Sequence, residues 1–208
     1  AGLEPQEHQL GARPASGRNS NLSEGFSLFN ADCHHFEDEN VAIVRQLLES
    51  GASPKDEDKD GNTPLLVAVR EDHVEIVRML IEGGANIEAR EESGEKNTPL
   101  LIGAKNLDEE IVKVLLEKKA NTEARNLEGD TPLLIAAKLG WTKHVYRYRW
   151  YKEIVKILLN AGANLDVTNV SGETPLSIAT KNGHVKVVEI LREKIEATVK
   201  KFNAWLKV

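Results

Sequence analysis

The tetrapeptide Thr63-Pro64-Leu65-Leu66 recurs as Thr98-Pro99-Leu100-Leu101, Thr131-Pro132-Leu133-Leu134 and Thr174-Pro175-Leu176-Ser177, at intervals of 35, 33 and 43 residues. A unit of that length holds about two short helices and cannot enclose a core alone, so the chain must build an array in which each unit covers its neighbour. Each copy reads as a helix start. The Thr oxygen accepts from free backbone N–H groups, and Pro supplies a helical φ where no donor is needed. The leucines that follow enter a buried stripe.

A second register runs in phase with the first. Ile43-Val44, Ile76-Val77, Ile111-Val112, Ile154-Val155 and Val187-Val188 are followed four and five residues on by further aliphatics, as in Leu47-Leu48 and Leu115-Leu116. This spacing places the apolar side chains on one helical face and predicts five outer helices. Gly51, Gly84 and Gly162 stand where a left-handed residue ends a helix. Gly61, Gly94, Gly129 and Gly172 mark the turn before each Thr-Pro.

Thr-Pro-Leu, the Ile-Val/Leu-Leu helix and the Gly-Ala-Asn stop, recurring in phase over residues 21–208, resemble the ankyrin repeat. The resemblance implies an all-α solenoid of stacked helix-turn-helix units with projecting turns, which binds other proteins through its concave side and turn tips. Function must then be sought where the units differ. Units are expected at about 21–57, 58–90, 91–125, 126–168 and 169–208, after a flexible tail or expression remnant over 1–20. His73 and His184 match the family's Gly-His between the helices and are expected to be structural. Leu66, Leu101 and Leu134 replace the His of Thr-Pro-Leu-His, so that layer should be apolar. The first unit, with Leu22, Phe26 and Phe29 on one helical face, is expected to be a cap. The last unit has no Gly-Ala stop. Its stripe of Val188, Leu191, Ile195, Thr198, Phe202 and Leu206 predicts a long C-terminal helix that caps the stack.

Two features could carry a partner. Seven residues beyond each Thr stand Arg70, Lys105, Lys138 and Lys181, which the resemblance stacks along the concave side, and Arg90 and Arg125 close their units nearby. The expected groove prefers an acidic or polar protein segment. The turn tips, read as Lys59, Asp60, Asn62, Asn97, Asp130 and Glu173, carry mixed charge. The fourth unit also contains about ten extra residues, in which Trp141, Tyr146, Arg147, Tyr148, Arg149, Trp150 and Tyr151 gather all three tyrosines and two of the three tryptophans. Trp, Tyr and Arg are the residues enriched at binding hot spots, although aromatic rings there could equally fold back on the stack.

Other classes find less in the chain. The net charge of −6 disfavours nucleic acid and anionic membranes. No run of 18 apolar residues suggests a membrane span. Asp32-Cys33-His34-His35 has metal-binding residue types but no partner pair, so no metal, and no cofactor, is expected. The six histidines have no recurring acid or nucleophile beside them, and the chain reads as a non-enzymatic, monomeric scaffold. A single cysteine suits a cytoplasmic or nuclear protein. The alternative readings are a sensor for a small anion or nucleotide, clamped by the lysine and arginine columns, and the recognition domain of a larger signalling or effector protein.

Overall fold

The computed structural model describes residues 37–92, 94–139 and 150–206, apart from the side chains of residues 37–39 and 150. The helices are α1 (Glu37–Glu49), α2 (Pro64–Arg70), α3 (Val74–Glu82), α4 (Pro99–Asn106), α5 (Glu109–Glu117), α6 (Pro132–Lys138), α7 (Trp150–Asn160), α8 (Pro175–Lys181) and α9 (Val185–Trp205). No strand occurs among the described residues. Consecutive helices pair as α2/α3, α4/α5, α6/α7 and α8/α9. Like helices stack on like: α2, α4, α6 and α8 form one row, and α1, α3, α5, α7 and α9 the other. The expected solenoid is therefore present, with turns projecting between the pairs. The expected helix through Leu22, Phe26 and Phe29, and the tail over 1–20, lie outside the described residues.

The short row starts as the sequence predicts, with one exception. Thr63, Thr131 and Thr174 accept from the backbone N–H of Leu66, Leu134 and Ser177 at 3.4, 3.4 and 3.1 Å. Ser177 returns the favour by accepting from the Thr174 N–H at 2.8 Å, which completes a capping box. Thr98 has the same extended backbone but caps nothing, and its buried hydroxyl has no partner among the described residues. A buried, unsatisfied hydroxyl is destabilising, and nothing in the structure explains this one.

Burial follows the two sequence registers. Leu65, Leu66, Leu100, Leu101, Leu133 and Leu134 are all but inaccessible, as are Ile76, Ile111 and Ile154 of the long row. The position five residues beyond Thr is always small: Ala68, Gly103, Ala136 and Ala179. At Gly103 a Cβ would approach Val112 and Ile111 to 3.3 and 3.4 Å, so close contact within α4/α5 sets the limit. Ile43 departs from the pattern and is 49% exposed, because among the described helices α1 packs chiefly on α3.

Helix ends use left-handed residues. Gly51, Gly84 and Gly162 have φ of 89°, 92° and 92°, and Lys119 takes the same role at 69°. A β-carbon makes that conformation unfavourable by roughly 1 kcal/mol. The Lys119→Gly variant is therefore expected to be about 0.5–1 kcal/mol more stable in urea unfolding. Lower stability would show that Lys119 makes a contribution beyond its backbone shape.

Candidate functional site

The turn before each Thr-Pro is built on one polar side chain. Asp58 accepts from the N–H groups of Asp60 and Asn62, Asn126 from Glu128 and Asp130, and Asn169 from Ser171 and Glu173, all at 2.8–3.0 Å. These loops mimic a backbone turn and bring Gly61, Gly129 and Gly172 to φ near 74°. The third unit has two extra residues, so Glu91 begins its turn and Lys96 is forced to φ 58°. Asn97 and Asp130, expected at the exposed tips, are instead buried at the base of their turns. The tips carry Leu127 and Val170, both largely exposed.

The predicted column of Arg70, Lys105, Lys138 and Lys181 does project from the last turn of the short helices, and each member is exposed. None of the four charges stands alone. Arg70 pairs with Glu91 at 3.0 Å, Lys105 with Glu95 at 2.9 Å, Lys138 with Glu128 at 2.7 Å and Asp130 at 3.4 Å, and Lys181 with Glu173 at 2.6 Å. The basic column thus has an acidic column beside it, drawn from the turns. Asn97 and Lys105 donate to Glu95 and hold its carboxyl below the usual range, while Lys138 and Lys181 do the same to Glu128 and Glu173. The Lys138 ammonium is raised in return, chiefly by Glu128.

Arg90 and Arg125 are used within the array. Arg90 Nη1 donates to the carbonyls of Lys96 and Arg125 at 2.8 and 2.7 Å, and Arg125 Nη1 to those of Gly129 and Thr168 at 3.1 and 2.6 Å. Each arginine ties its own unit to the equivalent position in the next. The N–H groups of Leu127 and Val170 add main-chain bonds between successive turns, to Glu95 and Glu128. Both arginines remain exposed at their outer faces.

Of the aromatic insertion, Trp141, Tyr146, Arg147, Tyr148 and Arg149 lie outside the described residues, and Trp150 opens α7. Tyr151 is corrected by its burial: it is 3% exposed within α7, its ring 6.4 Å from that of His184. His184 is buried and its Nε2 lies 3.3 Å from the Lys138 carbonyl, so this pair joins the fourth unit to the fifth, as a structural histidine should. Among the described residues no group of three or more His, Cys, Asp or Glu could hold a metal, and Asp32-Cys33-His34-His35 lies outside them.

A family model described as ankyrin repeats in three copies matches residues 30–91 and 105–203. The chain belongs to the ankyrin repeat family. A second ankyrin repeat model, for many copies, matches residues 68–116. Ankyrin repeats are in general protein–protein interaction modules without catalytic activity. The protein fem-1 homolog CG6966 of Drosophila melanogaster is 40% identical over 57 residues, which are 27% of this chain and 9% of that protein. The ankyrin repeat-containing protein P1E11.10 of Schizosaccharomyces pombe is 36% identical over 58 residues, 28% of each chain. The match thus spans under a third of either relative. No helix among the described residues is long and apolar enough to cross a membrane.

On the opposite rim of the ankyrin stack, the loops of the second and third units border a cleft of about 610 Å³ lined by Arg70, Asp72, Asn106, Asp108 and Lys113. Asp108 caps α5 through Ile111 N–H at 3.1 Å, but burial and the facing carboxyl of Asp72 push it up to about 7. Its ionisation therefore opposes folding. The cost is absent below the unfolded carboxylate value, grows as pH rises and is complete above about 7. The depressed Glu95, Glu128 and Glu173 act with the opposite sign: their contribution is present above the unfolded value and lost as pH falls through the folded one. Asp72 has φ 64°, a left-handed backbone that Asn also tolerates, and the variant Asp72→Asn is expected to gain about 1 kcal/mol at pH 8, after allowance for solvent screening, and nothing at pH 4. Urea titrations at both pH values check this; an equal gain at each would remove the carboxyl pair from the explanation. In the same variant, stability should still fall below about pH 4 as the turn glutamates are protonated.

Proposed function

We propose that the protein is a non-enzymatic scaffold that holds a polar segment of another protein against its short-helix face. The observation that carries this reading is the double column, in which Arg70, Lys105, Lys138 and Lys181 each lie beside a turn carboxylate. Such a surface offers paired donors and acceptors at each unit step. A segment bearing both hydroxyl or amide groups and carboxylates can exchange with those pairs without leaving a charge unmatched. A phosphate or nucleotide is a poorer fit, since Glu95, Glu128 and Glu173 would repel it from the lysines that would have to clamp it.

Arg90 and Arg125 serve this function by holding the turns in fixed register, so the segment meets a rigid template and loses less binding free energy to ordering. The aromatic insertion, around Tyr146, Tyr148 and Trp150, is a second contact supported by its composition, with Arg147 and Arg149 supplying positive charge. The single cysteine is compatible with a reducing compartment, cytoplasmic or nuclear.

Peptides selected from a displayed random library on the whole chain provide the test. Replacing Lys105, Lys138 and Lys181 together by Ala is expected to weaken the selected peptides by about tenfold or more while leaving circular dichroism unchanged. Unaltered affinity would remove the double column from the binding site, and the pair Tyr148→Ala and Trp150→Ala would then show whether the insertion holds the peptide.

A further inference from the structure

Helix α9 is longer than the array requires. Its 21 residues compare with 9 in α3 and α5 and 11 in α7. Val187 and Leu191 are fully buried and Ile195 is half-buried, against α7 and α8. From Glu196 to Leu206 every residue is exposed, so the expected cap is made by the first half of the helix alone. The apolar spacing does not stop where burial stops. Val188, Leu191, Ile195, Thr198, Phe202 and Trp205 alternate by three and four, a seven-residue period that keeps one seam in line along the helix.

The free half of that seam is broad. Val199, Phe202, Trp205 and Leu206 are 50%, 58%, 72% and 61% exposed, and the Phe202 and Trp205 rings stack with centroids 6.2 Å apart. A helical extension of this length gains nothing from packing and is marginal by propensity alone, so a covering partner would stabilise it. The flanking charge says which kind. Lys194 and Lys201 precede Ile195 and Phe202, at the positions that border such a seam, and Lys200 adjoins them. These three ammonium groups take part in no ion pair among the described residues, and the only acid between 194 and 206 is Glu196, away from the seam. Antiparallel pairing with a second copy would set lysine against lysine, and parallel pairing would leave the lysines without an anion.

We propose that the exposed half of α9 docks an amphipathic helix of another protein, with an apolar stripe laid over Phe202 and Trp205 and carboxylates along the edge that meets Lys194 and Lys201. This site is separate from the short-helix face and stands whether or not that face binds a segment. Its test uses the whole chain and a labelled synthetic helix of about three heptads with Leu in the seam and Glu at the flanks. The same peptide with Lys for Glu, and vesicles of phosphatidylcholine with phosphatidylserine, serve as controls. Fluorescence anisotropy is expected to give about tenfold tighter binding of the Glu peptide than of the Lys peptide, and a further loss of about tenfold in Phe202→Glu or Trp205→Glu. Both substitutions fall on exposed residues, so the thermal unfolding of the array should not move. Failure of the Glu peptide to bind, or equal binding of the two peptides, would overturn the proposal. So would vesicle binding abolished by Phe202→Glu, which assigns the stripe to lipid, or a dimer in sedimentation abolished by the same change, which assigns it to a second copy.

Discussion

Helices of seven to nine residues do not persist alone, because nucleation costs more than so few backbone hydrogen bonds return. Contact between neighbouring leucine layers is therefore what every other feature rests on. Leu65 and Leu66, Leu100 and Leu101, and Leu133 and Leu134 lose essentially all contact with water. The small residue five places after each Thr lets the helices of a pair approach closely enough for those layers to exclude it. Capping, left-handed glycines and turn hydrogen bonds then refine the pitch of an assembly that burial has already committed to stacking.

Polar contacts between units have a different task. The Asn121 and Asn164 N–H groups donate to the carboxylates of Glu88 and Glu123 one unit back, at 2.8 and 2.9 Å. The Asn182 amide and His184 ring reach the Lys138 carbonyl in the same way. These bonds satisfy groups that a smooth apolar interface would leave unpaired, and they permit one register only. Specificity of stacking comes from them, and the free energy of stacking from the leucines.

The repeat itself was almost wholly legible in the chain, because Thr-Pro and the aliphatic pairs respond to local rules. Less of the candidate site was, and the reason is visible at Lys105 and Lys138. A column of one charge is easily seen seven residues past Thr, but its partners Glu95 and Glu128 lie ten residues earlier, across a turn whose path depends on Asn126 or Glu91. Asp130 and Glu173 lie eight residues earlier. A search for acids at those two offsets would have found the partners of the three lysines, but not Glu91, which lies 21 residues after Arg70. Nothing local foretold that Asn97 would be buried or that Thr98 would leave its helix uncapped, since both depend on where a turn lengthened by two residues settles. Tyr151 was misplaced for a similar reason: counted by composition it belongs to the insertion, and by helical phase with Ile154 and Val155 it belongs to the core.

The arginine ladder is unevenly distributed. Arg90 spans the second junction and Arg125 the third, whereas Glu57 and Thr168, which occupy the same place in the flanking units, cannot reach across. The last three turns are thus laced together by guanidinium and main-chain bonds, whereas the first is joined to the second by the Arg70 side chain, which donates to Asn62 and Glu91 at 3.0 Å. Pulled from its ends, such a chain would part first between its first two turns and hold longest where Arg90 and Arg125 grip the carbonyls of the units that follow.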